Sequence, residues 1–263
     1  MPADYITPPR PVALITGGTS GIGLELAKQF ADHHYDLILV ARTPGPLAEA
    51  KAFFEERDVR VETISADLSK RNAAQGVFEK VKTLGWDVDV LVNNAGAGVY
   101  GDFVMETNLQ EELDIIQLNI ASVVELTKYF TKDMIGRKGG KILFTASMAG
   151  IVPSPFLTVY SATKSFVLSF AEALRDELKG SGITVTALCP GATDTKFFER
   201  ADMVHKKEKL GKLADPKDIA EAGFNALMKG DDHVVAPFKD SLMTNFMNKF
   251  LPMDAAVHAA RIQ

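Results

Sequence analysis

The chain has 263 residues, 46% of them hydrophobic and 24% charged, with a net charge of −5. That is soluble globular composition. The charge lacks the basic footprint of a nucleic-acid-binding protein, and no run of about 18 apolar residues predicts a membrane-spanning helix. A lone Cys189 cannot form an internal disulfide, which suits a reducing compartment, and the cytoplasm is expected. Residues 1–10 hold an Asp and three prolines but no apolar core of a signal peptide. The five histidines lack metal-ligand spacing, so no metal is expected.

Short β-rich runs alternate with helical stretches along the chain. Strands are predicted at 12–16, 35–41, 59–66, 88–93, 141–146, 183–188 and 233–236. Several read as unbroken apolar runs, such as Leu37, Ile38, Leu39 and Val40, which suits strands buried on both faces of a parallel sheet. Helices are predicted at 21–33, 46–57, 69–84, 109–135, 160–179 and 216–229; the last has Asp215 as N-cap and Pro216 at its first position. The alternation predicts an α/β fold: a doubly wound, Rossmann-type parallel sheet of about seven strands with helices on both faces. No linker or composition shift divides the chain, so one dinucleotide-binding domain over 1–263 is expected, with 239–263 as a helical tail.

After the first strand comes Thr16, Gly17, Gly18, Thr19, Ser20, Gly21, Ile22 and Gly23. Glycines let the backbone turn tightly and approach a pyrophosphate, and the following helix N-terminus offers N–H groups to the anion. A P-loop would need Lys after the last glycine, where Leu24 and Glu25 stand; a nucleophile elbow on Ser20 would need Gly at Ile22. The second strand ends in Val40, Ala41 and Arg42, without the acid that would bind an adenosine ribose 2′-hydroxyl; Asp36 sits at the wrong end. Arg42 could pair with a 2′-phosphate, so NADP(H) is preferred over NAD(H); the plainer alternative is an exposed loop charge.

Tyr160 and Lys164 lie four apart, on one face of a predicted helix. A neighbouring ammonium stabilises phenolate and lowers the phenol pKa, which makes Tyr160 a usable acid or base. Ser147 ends the strand that precedes them. By these motifs in this order, with Asp67-Leu68, Asn93-Asn94-Ala95-Gly96, Asn119 and Pro190-Gly191, residues 11–236 resemble the single-domain short-chain dehydrogenase/reductase family. Ala146 and Thr163 stand where that family often has Ser.

The resemblance implies an oxidoreductase acting on CH–OH groups. Its roles would be Tyr160 as acid or base, Lys164 lowering the Tyr160 pKa and holding the nicotinamide ribose, and Ser147 binding the substrate oxygen. Asn119 would hold a local helix distortion and a water linking Lys164 to solvent. Gly17, Thr19, Ser20, Gly21, Ile22, Gly23, Arg42, Asp67, Leu68, Asn93, Ala95, Gly96, Tyr160, Lys164, Pro190, Gly191, Thr193 and Thr195 would bind cofactor.

A substrate wall is expected from Val99, Tyr100, residues 152–157, Phe197 and Phe198, most of them apolar, which suits a hydrophobic carbonyl compound or alcohol. Residues 192–214 are long for a connection and read as a lid. Leu242, Met243, Phe246, Met247, Phe250 and Leu251 form an apolar stripe at helical spacing. It could pack on its own domain, join subunits or touch a membrane. By resemblance a homodimer or homotetramer is expected. Two other readings stay open: an NADP(H)-binding redox sensor or scaffold without turnover, and an epimerase or dehydratase on the same frame.

Overall fold

Ala13, Leu14 and Ile15 are fully buried, so the strand β1 (Val12–Thr16) is covered on both faces. Helices on either side of a parallel sheet produce that environment. A computed structural model describes residues 10–137, 139–207 and 212–237. It contains β1, β2 (Asp36–Ala41), β3 (Val61–Ser65), β4 (Val90–Asn93), β5 (Gly140–Thr145), β6 (Ile183–Pro190) and β7 (His233–Ala236) in one parallel sheet of order β3-β2-β1-β4-β5-β6-β7. This is the doubly wound architecture expected from the strand and helix alternation.

Alternation along the strands divides the core into two layers. Leu14, Ile38, Leu91, Ile142 and Phe144 face one side with Phe130 and Val167. Phe130 lies in α5 (Ser122–Arg137) and Val167 in α6 (Thr158–Glu177). Ala13, Ile15, Leu37, Leu39 and Leu143 face the other side with Phe30, Phe54 and Phe224. These come from α1 (Gly21–Asp32), α2 (Pro44–Glu55) and α9 (Pro216–Lys229). Each such buried phenyl contributes about 1.5–3 kcal/mol through loss of apolar surface from water.

The chain steps outward from β1 to β2 and β3, then returns to place β4 on the opposite side of β1. That reversal opens a crevice at the carboxyl ends of β1 and β4. Asp36 is fully buried at the amino end of β2, where it accepts from the Arg60 backbone N–H at 2.9 Å and from Arg60 Nε at 2.6 Å. It lies at the opposite end of β2 from the crevice, as its position in the strand implies.

Two helices depart from the sequence pattern. The stretch 109–135 is not one α-helix: α4 (Leu109–Ile116) gives way to a π-helical turn (Gln117–Ala121) before α5. The helix α3 (Ala73–Leu84) starts four residues later than position 69, because Asn72 is left-handed (φ 63°) and Ser69 is tied to the Asp67 carboxylate.

The segment after β6 forms two single turns, α7 (Phe197–Arg200) and α8 (Val204–Lys207). Its ends are stitched together by Asp194 N–H to the Ala214 carbonyl at 2.9 Å and Ala214 N–H to the Ala192 carbonyl at 3.0 Å. Residues 208–211 of the expected lid, and the tail 239–263 with its apolar stripe, lie outside the described residues. Among the described residues no helix is long and apolar enough to cross a membrane.

Candidate active site

Thr16 ends β1 and clamps the crevice floor. Its hydroxyl accepts from the N–H groups of Asn94 and Ala95, each at 3.0 Å, and donates to the Val92 carbonyl at 3.2 Å. Asn94 completes the clamp, donating Nδ2–H to the Thr16 carbonyl at 3.0 Å and accepting from Thr145 Oγ1 at 3.2 Å. The carboxyl ends of β1, β4 and β5 are thereby locked together.

The glycine turn sits on that clamp. A Cβ at Gly23 would lie 2.3 Å from the Gly17 carbonyl oxygen and 2.4 Å from Asn94 Nδ2, so no side chain is possible there. Gly17 adopts φ 68°, a conformation that disfavours other residues. Ser20 is the N-cap of α1, yet its side chain makes no capping bond to the helix, which leaves the first-turn N–H groups without a side-chain cap. A bare, backbone-lined cradle at a helix start fits a dinucleotide pyrophosphate.

The catalytic candidates meet on the floor of the same cleft, a cavity of about 690 Å³. Ser147 Oγ accepts from Ala149 N–H at 3.1 Å, which fixes it at the start of a 3₁₀ turn, and its hydroxyl favours the ionised form of the Tyr160 phenol. Lys164 is buried and donates from Nζ to the Thr145 carbonyl at 2.7 Å. Its Nζ lies 5.8 Å from the Tyr160 ring centroid. Asn119, also buried, donates to the Ala97 carbonyl at 2.9 Å and to Thr163 Oγ1 at 3.0 Å, and accepts from Ala97 N–H at 3.1 Å. The π-helical turn carries this side chain, and Thr163 in turn donates to the Tyr160 carbonyl at 2.7 Å.

The sequence profile described as short chain dehydrogenase matches residues 11–204. The chain belongs to the short-chain dehydrogenase family. It is 35% identical over 191 residues to a very-long-chain 3-oxoacyl-CoA reductase of Rattus norvegicus, a match covering 70% of this chain and 60% of that protein's length. A short-chain dehydrogenase from Sphingobium yanoikuyae, solved in complex with NADPH, is 29% identical with a TM-score of 0.81, covering 92% of this chain and 96% of that one. A family protein from Burkholderia phymatum, solved in complex with NAD, has the same fold at 24% identity and a TM-score of 0.82, covering 91% of this chain and 93% of that one.

In this family member nearly all of the expected residues line one cleft. Gly17, Thr19, Ser20, Gly21, Ile22, Gly23, Arg42, Asp67, Leu68, Ala95, Gly96, Ser147, Tyr160, Lys164, Pro190, Gly191, Thr193 and Thr195 all do. Asn93 does not. It is buried on the far face of β4, where Nδ2 donates to Thr127 Oγ1 of α5 at 3.1 Å. Asn119 stands behind the cleft wall, close to Lys164: a Cβ on Gly96 would touch Lys164 Nζ at 3.2 Å and Asn119 Oδ1 at 3.3 Å.

One expectation is reversed. The Tyr160 phenol is pushed up to about 12, not lowered, because burial outweighs the Ser147 hydrogen bond. Lys164 is held at about 8 by its own burial. Helical spacing brings the two side chains together, but the ammonium is bonded to the Thr145 carbonyl. The Asp67 carboxyl lies below its usual range: burial works against this, and the Ser69 hydroxyl and N–H, Arg42 and Lys70 overcome it.

The side of the cleft expected to face substrate is largely apolar. Tyr100, Val152, Phe156, Leu157, Phe197 and Met203 line it, whereas Val99 and Pro153 do not. Phe197 lies 5.1 Å from the Tyr160 ring, and Phe198 is buried with Ala201 and Met203. Sequence reasoning did not single out Asn94 as a clamp, Thr163 as the link from Asn119 to Tyr160, or Lys196 and Arg200 in the cleft wall. For Asn94 the signal was its place beside a strand end; for Lys196 and Arg200 there was none.

Proposed function

We propose that this protein is an NADP(H)-dependent oxidoreductase acting on the carbonyl or secondary alcohol carbon of a hydrophobic small molecule. The observation that carries the reading is the meeting of Ser147, Tyr160 and Lys164 on the floor of a cleft rimmed by the glycine turn. When bound, the nicotinamide supplies or accepts the hydride. The Gly17–Gly23 turn would hold its pyrophosphate, and Pro190, Gly191, Thr193 and Thr195 would border the nicotinamide end.

The chain's own residues would handle the proton. Tyr160, with its pKa at about 12, keeps its hydroxyl protonated near neutrality and can give that proton to the substrate oxygen in reduction. Ser147 would orient the same oxygen and share its developing charge. Lys164 at about 8 is largely cationic at neutral pH and would stabilise the phenolate left behind. Phe197 and its apolar neighbours would exclude water from the transfer. Arg42, exposed at the end of β2 and lining the cleft, supports NADP(H) over NAD(H), since no acid stands at that strand end.

The cytoplasm is the compartment that a single buried cysteine suits. Exposed Leu109, Leu113 and Ile116 share one face of α4, and with Phe166 of α6 they support a homodimer or homotetramer, which light scattering would weigh.

A panel of hydrophobic aldehydes, ketones and 3-oxoacyl esters, followed by NADPH absorbance, tests the activity. Tyr160→Phe should retain NADPH binding by fluorescence yet lose turnover by roughly 10²–10⁴-fold, because only the proton donor is removed. Near-normal turnover in that variant would exclude Tyr160 as the acid.

A further inference from the structure

The charge of the cleft opposes the charge of the chain. The protein carries −5 overall, but the described charged residues lining the cleft are Arg42, Lys164, Lys196 and Arg200 against Asp67 alone. Low-dielectric walls lined by one sign of charge concentrate ligands of the other. Arg42 and Lys164 already have uses. Lys196 and Arg200, in the segment after β6, had none assigned.

The described residues of this segment around Arg200 are packed down. Phe198, Ala201 and Met203 are buried beneath it against Tyr100, Leu157 and Leu213. The Arg200 N–H donates to the Lys196 carbonyl at 3.1 Å, so residues 196 and 200 lie one helical turn apart, both exposed. The segment touches the glycine turn at two points. A Cβ on Gly21 would fall 2.9 Å from Thr195 Cγ2, and Arg200 Nη2 reaches to 3.5 Å from Ser20 Oγ. An exposed guanidinium on a neutral hydroxyl at that distance contributes little stability by itself. Its forked donors match phosphate oxygens far better. Ser20 and Gly21 mark the start of α1, where backbone N–H groups face an incoming anion.

We infer that Arg200 is a phosphate-binding residue that reaches from α7 across the crevice to the dinucleotide pyrophosphate on the glycine turn. The inference rests on the cofactor reading proposed above. Arg42 and Arg200 then have separate tasks. Arg42, at the end of β2, meets the 2′-phosphate that only NADP(H) carries. Arg200 meets the pyrophosphate that NADP(H) and NAD(H) share. Asp67, the one acid among the described residues of the cleft wall, lies in the field of Arg42 and Lys70, and neither Asp194 nor Glu199 lines the wall.

The test is direct fluorescence titration of wild type, Arg200→Gln and Arg42→Ala with NADPH and with NADH, at low and high salt. Arg200 is exposed, so the Gln variant should unfold with wild-type stability. Its affinity for both dinucleotides should fall by about tenfold, in equal measure, and the salt dependence of binding should flatten. Arg200→Lys, which keeps the charge and loses the fork, should recover part of the loss. Unchanged binding of both dinucleotides by Arg200→Gln would overturn the assignment and leave Arg200 a solvated surface charge. Selective loss of NADPH would also overturn it, by moving Arg200 to the 2′-phosphate. Failure of the wild type to bind either dinucleotide would remove the cofactor reading itself, and this assignment with it.

Discussion

Replacing Lys164 by Met should stabilise the fold while removing activity. Burial lowers the Lys164 pKa from an ordinary 10.5 to about 8. That drop corresponds to about 3 kcal/mol of disfavoured charging in the folded protein. Below pH 8 folded and unfolded chains both carry the ammonium, and the burial cost is felt in full. As pH rises through 8 toward 10.5 the folded chain sheds the proton while the unfolded chain keeps it, so stability increases. Lys164→Met removes the charge at similar length, but the Thr145 carbonyl loses the donor it holds at 2.7 Å, a loss of about 1–2 kcal/mol. At pH 7 the variant should therefore be more stable by about 1–2 kcal/mol. Between about pH 7 and pH 9.5 the wild type should gain about 2 kcal/mol on the variant, and the advantage should close or reverse. Urea unfolding of both proteins at the two pH values measures this, and the difference cancels the other titrating groups. A wild type more stable at pH 7, with a gap that ignores pH, would refute the reasoning.

Gly23→Ala should abolish dinucleotide binding in a fluorescence titration and cost about 1–3 kcal/mol in urea unfolding, because its Cβ would lie 2.3 Å from the Gly17 carbonyl oxygen. Arg42→Ala should weaken NADPH binding about tenfold and leave NADH unchanged, as loss of a charge-assisted phosphate contact requires; equal loss for both would remove Arg42 from cofactor selection.

The frame was legible in the sequence because its strongest signals are local. Unbroken apolar runs such as Leu37 to Val40 mark strands covered on both faces, and the glycine turn declares itself by following one of them. Asn93 shows what a run of motif residues hides. In β4 side chains alternate between faces, so Asn93 points to α5 with Leu91 while Val92 joins the opposite layer. That alternation was available from the strand period alone. The π-helical turn was signalled only by the resemblance, which puts a helix distortion at Asn119; in the local pattern Gln117, Leu118, Asn119, Ile120 and Ala121 have no residue that forbids an α-helix. What holds the turn is the Asn119 side chain clasping Ala97 across 22 residues, a tertiary contact that no local pattern encodes. Arg200 is hidden for the same reason, since its contact with Ser20 spans 180 residues.

The spacing of Tyr160 and Lys164 illustrates a different limit. A helix places the two side chains together, but spacing does not say how deeply either is buried. Burial drives both toward their neutral forms, the phenol up to about 12 and the ammonium down to about 8. The pair is therefore set as a protonated acid beside a cation, with the Thr145 carbonyl accepting a hydrogen bond from the ammonium. Under the proposed chemistry that resting state suits reduction, which begins with a proton on Tyr160. Oxidation begins with phenolate, and so must first overcome the burial that raises this pKa. Of the two, Lys164 is the first to change its charge as pH rises, since about 8 lies below about 12. Reduction should accordingly weaken as pH rises through about 8, while the phenol itself is still protonated.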